Sequence, residues 1–313
     1  MMDAIRKVAI VGAGLVGRGW AIVFARAGCD VTIYDGSAEI RAAVLERIHA
    51  SLADMLEAGL VDAVDPVMQR LRVADTLERA VGDADYVQES VLELCDVKEA
   101  VCQEIGRAMR PDAVVGSSSS GIPASAFTET CANRARFLIA HPVNPPHLIP
   151  LVELVPAPWT DAEIVPWLRK QMEAVGQAAI VVRKEVEGFV LNRLQGALLN
   201  EAWALLDEGV ASAADIDLTV SHGLGYRWSF MGPFETVDLN APGGIADYAK
   251  RLGPLYHAIA LARRNPAPWS QKLIAQAEAE RREKLAVSQL GERSAWRDRN
   301  LMALVAHKRR TGV

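Results

Sequence analysis

Cysteine is scarce in this sequence: Cys29, Cys95, Cys102 and Cys131 stand alone among 313 residues, with no CxxC pair and no histidine at ligand spacing. That scarcity excludes a disulfide framework or a zinc site as the organising principle, so no metal is expected and the thiols read as reduced and packed. Long apolar runs are missing too. No stretch approaches about 18 uninterrupted apolar residues, which argues against a membrane span. The first residues, Met1–Lys7, lack the apolar core of a secretory signal, and a cytoplasmic protein is expected. Nor does charge of one sign dominate: 34 Lys+Arg against 39 Asp+Glu leave a net charge of -5, too mild for a nucleic-acid surface. Any small anionic ligand must then be held by a local site.

What is present is the composition of a folded chain of two ordinary domains, 50% hydrophobic and 23% charged. Through the first half, short β-rich runs alternate with longer helical patterns. Lys7–Val11 is followed by a helix to about Gly28, then Val31–Tyr34, then a long helix from about Ser37. Further strands are expected at Tyr86–Gln88, Ala113–Gly116, Phe137–Ala140, Leu151–Val155 and Ala178–Val182, with helices near 92–109 and 161–175. Such alternation predicts an α/β fold: a Rossmann-like, mostly parallel sheet of seven or eight strands with helices on both faces. After Gly188 the strand-like runs disappear, and Phe189, Leu194, Leu198, Ala202 and Leu205 recur at helical spacing. The expected division is therefore 1–187 for the sheet domain and 188–313 for an all-α domain. Within the latter, 223–244 reads as a Gly- and Pro-rich loop and 270–300 as one charged amphipathic helix.

The first strand runs into Gly12-Ala13-Gly14-Leu15-Val16-Gly17, and the second ends at Asp35. Each part has a task. Gly12 permits the tight turn, Gly14 lets backbone approach a pyrophosphate at the helix start formed by Leu15 and Val16, and Gly17 lets helix pack on strand. Asp35 would accept hydrogen bonds from the adenosine ribose and repel a 2′-phosphate, and Gly36-Ser37-Ala38 supplies no immediate cation. NAD is expected over NADP; FAD shares the fingerprint.

A second constellation follows. The buried run Phe137–Ala140 delivers His141 to a strand's carboxyl end, the border of the ligand crevice in an open α/β sheet. A lone histidine is more often structural, but Glu153 lies inside the apolar run Leu151–Val155, and a carboxylate buried in a strand needs a partner. Paired, the two would make a general base with a stabilised imidazolium. The alternative is a glutamate on an edge strand facing water. The strand Val114–Gly116 ends in Ser117-Ser118-Ser119-Ser120-Gly121, hydroxyls that would face the nicotinamide end of the cofactor, and Asn192 sits in the first turns of the helix opening the second domain. Judged alone, Asn192 could as well be a solvated helix residue.

Together these residues resemble the L-3-hydroxyacyl-CoA dehydrogenase superfamily over about residues 5–255. The runs His141–Pro156, Lys184–Leu194 and Gly223–Asn240 are most similar to its lambda-crystallin/L-gulonate 3-dehydrogenase branch. The resemblance implies NAD-linked oxidation of an L-3-hydroxy group and a helical C-terminal domain that forms a homodimer. By the same resemblance Ser120 binds the substrate hydroxyl, His141 is the base, Glu153 orients it and Asn192 holds the reacting oxygen. Glu89 and Glu93, with Lys98, match positions lining the nicotinamide side. One departure is Pro142-Val143, where acyl-CoA members carry two aromatics. The segment 36–97 also holds 13 acidic side chains against five arginines and no lysine, unsuited to the phosphates of CoA.

The expected enzyme therefore acts on a small hydroxy acid, with Arg227 in the loop Gly223–Trp228 proposed for its carboxylate because a guanidinium can bind it through two parallel hydrogen bonds. A surface or dimer-contact role for Arg227 stands beside that reading. The rivals are an L-3-hydroxyacyl-CoA or carnitine-type dehydrogenase and, from another class, a non-enzymatic NAD-binding, crystallin-like protein. A lysine-based 3-hydroxyisobutyrate-type enzyme is disfavoured, since no lysine occurs between 185 and 249.

Overall fold

A computed structural model of the chain describes residues 3–263 and 268–312. The described residues form two units, one of 3–193 with 295–312 and one drawn from 194–263 and 268–294. The C-terminal boundary thus differs from the expected 188–313 domain: Met302 is buried in the core of the first unit, with Leu301 and Val305 packed around it.

The first unit holds one sheet of eight strands: β1 Lys7–Val11, β2 Asp30–Tyr34, β3 Leu71–Val73, β4 Tyr86–Glu89, β5 Val114–Ser117, β6 Phe137–Pro142, β7 Leu151–Pro156 and β8 Ala178–Val181. Their order is β3-β2-β1-β4-β5-β6-β7-β8. All neighbouring pairs are parallel except β6 and β7, which run antiparallel. β3 has only three residues and carries too little periodicity to be seen in the sequence.

Side chains alternate between the two faces, as the pleat requires. Val8, Ile10, Tyr86, Val114, Leu138 and Ala140 point into one core with Trp20 and Phe24 of the helix α1 (Leu15–Arg26) and Ile48 and Leu52 of α2 (Ala38–Glu57). Ala9, Val11, Val87, Val115, Phe137 and Ile139 point into the other, with Cys102 and Ile105 of the helix Cys95–Ala108. Because both faces are covered, β1 and β6 read as near-continuous apolar runs, and the buried polar ends of β4 and β5, Gln88, Glu89 and Ser117, stand out against them. The parity also assigns His141 to the face of Phe137 and Ile139. On β7, Glu153 alternates with Val152 and Leu154 of the opposite core, so it shares the face of His141.

The second unit is helical. The segment expected to be a loop, 223–244, is instead largely wound: a π-helical segment Thr219–Leu224 leads into Gly225–Trp228, and Pro233 opens Pro233–Leu239. Proline is tolerated there because the first helical N–H has no partner to lose. The charged stretch 270–300 is not one helix but Gln271–Lys284, capped by Ser270, and Leu290–Thr311, separated at Leu285–Gln289. Within this unit Arg263 is held by Glu201 at 2.8 Å.

Candidate active site

At the carboxyl end of β1 the backbone turns at Gly12, whose φ of 96° favours glycine and whose N–H donates to Tyr34 O at 2.8 Å. A Cβ at Gly17 would lie 1.8 Å from Gly12 O, so that glycine is imposed by the close seat of α1 on the turn. Gly14 is different. A Cβ there would meet nothing within 4 Å; the helix start it forms has no side-chain cap and no acid in its first turn. The N–H groups at Leu15 and Val16 therefore face an open, positively polarised site suited to a pyrophosphate. Asp35 braces this turn, its Oδ2 accepting from Ala13 N at 2.8 Å and its Oδ1 from Ser37 N at 2.9 Å. The carboxylate keeps further lone pairs for a ribose hydroxyl.

The antiparallel pairing of β6 and β7 sets His141 directly opposite Glu153. His141 Nδ1 lies 2.7 Å from Glu153 Oε2, and both side chains are buried, at 7% and 0% exposure. The other carboxylate oxygen, Oε1, accepts the N–H groups of Val190 at 2.9 Å and Leu191 at 3.0 Å. Glu153 therefore both holds the imidazole and caps the start of the helix Leu191–Asp207. Burial pushes its carboxyl upward. The hydrogen bonds from His141, Leu191 and Val190 outweigh that and leave it below the usual range, so it stays ionised.

That cap fixes Asn192, whose Nδ2 donates to Ser120 O at 2.6 Å. Ser120 is held from its other side by Glu93: Oε1 accepts from Ser120 N at 2.8 Å, Ser120 Oγ at 3.3 Å, Gly121 N at 3.1 Å and Ser119 Oγ at 2.8 Å. Burial raises the Glu93 carboxyl, but the Ser119 hydrogen bond, Lys98 and the loop N–H groups bring it below its ordinary value. Lys98 lies beneath the loop, only 1% exposed, with Nζ 3.1 Å from Glu89 and 3.4 Å from Glu93. Ser117 Oγ donates to Glu89 as well. His141 and Glu153 thus form one polar cluster and Asn192, Ser120, Glu93, Lys98 and Glu89 a second, the two joined through the backbone of the helix start at Leu191 and Asn192. Arg227 stands exposed on Gly225–Trp228 in the second unit and makes no ion pair among the described residues.

Two residues at this site were not singled out from the sequence for it. Phe189 is fully buried with a φ of 49°, rare for a residue with a Cβ, and its ring centroid is 5.8 Å from that of His141. Its position after Gly188, two residues before the helix start, was the one available signal. Arg41 reaches back from α2 to the end of β2, with Nη1 2.6 Å from Asp35 O and 3.3 Å from Gly36 O. The turn itself carries no cation, as expected, but the next turn of helix brings one to it.

A glycine turn of the dinucleotide-binding kind on the same carboxyl edge of the sheet as a histidine–glutamate pair, with a bonded serine and asparagine at the adjoining helix start, defines an NAD-dependent oxidoreductase. The family model for the 3-hydroxyacyl-CoA dehydrogenase NAD-binding domain matches residues 7–186, and that for the C-terminal domain matches 188–289. The chain belongs to the 3-hydroxyacyl-CoA dehydrogenase family. It is 39% identical over 253 residues to an L-carnitine dehydrogenase of Streptomyces coelicolor, covering 80% of this chain and 79% of that one. Similarity to the lambda-crystallin of Oryctolagus cuniculus is 39% identity over 242 residues, 76% of each chain. Among solved structures, a 5-formyl-3-hydroxy-2-methylpyridine-4-carboxylic acid 5-dehydrogenase, described as an NAD+-dependent dismutase, has a TM-score of 0.78 at 29% identity, covering 97% of this chain and 98% of that one. The 3-hydroxybutyryl-CoA dehydrogenase of Escherichia coli K12 has a TM-score of 0.67 at 30% identity, covering 76% of this chain and 50% of that one.

Proposed function

We propose that this enzyme oxidises the L-3-hydroxyl of a small hydroxy acid, a reaction of the L-gulonate 3-dehydrogenase type. The observation that carries the reading is the pair following the base. Pro142 is buried in register with Val152, and Val143 is half-buried with its N–H on Leu151 O at 3.3 Å, so small side chains flank His141 in place of two aromatics. The acidic balance of residues 36–97 and the relatives named for free acids support the same choice.

Leu15, Val16 and Gly14 would hold the pyrophosphate and Asp35 the adenosine ribose; when bound, the nicotinamide supplies the hydride acceptor. With Nδ1 occupied by Glu153, Nε2 of His141 is the atom left to take the 3-hydroxyl proton. Glu153, held ionised, stabilises the imidazolium that results. Asn192 spends one amide hydrogen on Ser120 O and keeps the other for the substrate oxygen; the Ser120 hydroxyl, donating to Glu93, is left as an acceptor. Glu93 and Lys98 shape the serine loop from below. Arg227 is proposed for the substrate carboxylate.

In the second unit Tyr226, Phe230, Phe234, Leu255, Tyr256 and Ile259 are exposed, which supports a homodimer as the working form. Among the described residues no helix is long and apolar enough to cross a membrane; residence in the cytoplasm is part of the proposal.

The test is NADH formation with L-gulonate, L-3-hydroxybutyrate, L-carnitine and L-3-hydroxybutyryl-CoA, each with NAD and with NADP. Turnover of a free acid supports the proposal. Turnover confined to the CoA ester overturns it and selects the acyl-CoA reading. NAD binding with no turnover of any of the four revives the non-enzymatic one.

A further inference from the structure

In the sheet order, β4 and β5 lie between the glycine turn that ends β1 and His141 on β6. A dinucleotide reaching from that turn to the base must cross the carboxyl ends of both strands. Ser90 and Ser118 stand directly beyond those ends, and their hydroxyl oxygens are 2.8 Å apart. Ser118 Oγ also accepts from Trp20 Nε1 of α1 at 3.2 Å and from Gln88 Nε2 of β4 at 2.8 Å. The bond directions are forced. Gln88 Nε2 lies 3.3 Å from the Ala140 carbonyl and Gln88 Oε1 2.5 Å from the Tyr86 hydroxyl, which fixes the end of the amide that carries hydrogen. An indole N–H can only donate, so both lone pairs of Ser118 are taken and its own hydrogen goes to Ser90. The loop 118–123 that begins here belongs to no strand or helix, since β5 ends at Ser117 and the next helical turn starts at Ala124. It is pinned from two faces. Ser117, on the face of Val115, donates to Glu89, and Glu93 collects the N–H groups of Ser120 and Gly121. Ser118, on the face of Tyr86 and Trp20, ties the loop to α1.

We infer that Ser118 is a positioning residue for the nicotinamide half of the cofactor. Its role rests on the mechanism proposed above, in which hydride leaves the carbon whose hydroxyl proton His141 takes, so that the nicotinamide ring lies near the ends of β5 and β6. The adenosine half meets the glycine turn and Asp35 instead. That turn is seated by the close contact of Gly17 with Gly12 and by the bond from Ala13 to Asp35, without help from Ser118. Ser118→Ala leaves the indole N–H and one Gln88 hydrogen unpaired and releases the loop from α1, while Glu93 still holds it from the other face. A loop in place for only a fraction of the time binds in proportion to that fraction. The loss therefore falls on the nicotinamide half, and the pyrophosphate end is spared.

The experiment is calorimetric titration of the full chain with NADH and with ADP-ribose, which lacks the nicotinamide, for the wild type, Ser118→Ala and Ser118→Thr. Ser118→Ala is expected to weaken NADH about tenfold and ADP-ribose by less than about twofold. Ser118→Thr keeps the hydroxyl and is expected to bring NADH back to within about threefold of wild type. Urea midpoints on the same preparations separate position from stability. A destabilised Ser118→Ala that binds both ligands like the wild type makes Ser118 a structural residue only, and equal weakening of both ligands overturns its selective role. Equal loss of NADH affinity in Ser118→Thr and Ser118→Ala assigns the effect to shape and not to the hydroxyl, which also overturns it. If Ser118→Ala does not fold, Trp20→Phe deletes the same tie from the α1 side and must show the same selective loss. A wild type that binds neither ligand overturns the dinucleotide site itself, whereas the mechanism is tested separately by the rate assay with the four compounds.

Discussion

Replacing Glu153 by Gln tests the site through one carboxylate that serves two ends. Oε2 holds His141 Nδ1 and Oε1 holds the N–H groups of Val190 and Leu191, at 2.7, 2.9 and 3.0 Å. An amide has a single acceptor oxygen. Turned toward the helix start, that oxygen keeps two bonds; turned toward His141, it keeps one and points its NH2 at two donors. The first arrangement wins and presents an N–H donor to Nδ1. The imidazole must then carry its proton on Nε2, the wrong tautomer for taking a proton from a substrate. Loss of general-base catalysis costs about a hundredfold to ten-thousandfold in kcat, as it does where a triad carboxylate becomes an amide. Stability should fall by about 1–3 kcal/mol, the size of one lost charged hydrogen bond. Glu153→Ala strands both ends and should cost about 3–5 kcal/mol. The assay is initial-rate kinetics at saturating NAD and substrate, with urea unfolding run on the same preparations. A Glu153→Gln enzyme with kcat within threefold of wild type would refute the reasoning, whatever its stability.

The other expectations are more limited. Because the folded Glu153 carboxyl lies below its ordinary 4.5, its contribution to stability is complete above that pH and is lost as the pH falls beneath it. Urea midpoints followed from neutral pH to about pH 3 should drop less steeply in Glu153→Gln than in wild type. Gly14→Ala should fold within about 1 kcal/mol of wild type yet bind NAD more weakly, whereas Gly17→Ala should lose about 3 kcal/mol or more, since its Cβ would meet Gly12 O. Equal stability loss in the two would contradict the division of roles. Asn192→Ala should cost about 1 kcal/mol through the Ser120 bond and lower kcat more than it raises KM, readable in the same rate assay.

Much of the architecture was legible because the residues concerned answer to local rules. The glycine fingerprint, the acid ending the second strand and the apolar runs of β1 and β6 each follow from the turn, the pleat and burial on two faces. Candidate residues were found where polarity contradicts its setting, as with Glu153 in Leu151–Val155 and His141 after Phe137–Ala140. Less local features escaped. β3 is too short for periodicity, the winding of 223–244 against its Gly and Pro content depends on its neighbours, and the return of 295–312 to the first core is a matter of distant packing.

Local sequence was enough to specify a Rossmann-like sheet with a glycine turn opening α1, and to mark which side chains were chemically out of place. How they combine depends on packing between distant elements. The antiparallel reversal at β7 puts Glu153 opposite His141, and the positive φ of Phe189 precedes the two N–H groups aimed at Glu153; Arg41 reaches Asp35 because α2 starts where β2 ends. Strand direction, register and the approach of one element to another are set by the summed burial of the whole core, and no short window of residues contains that sum.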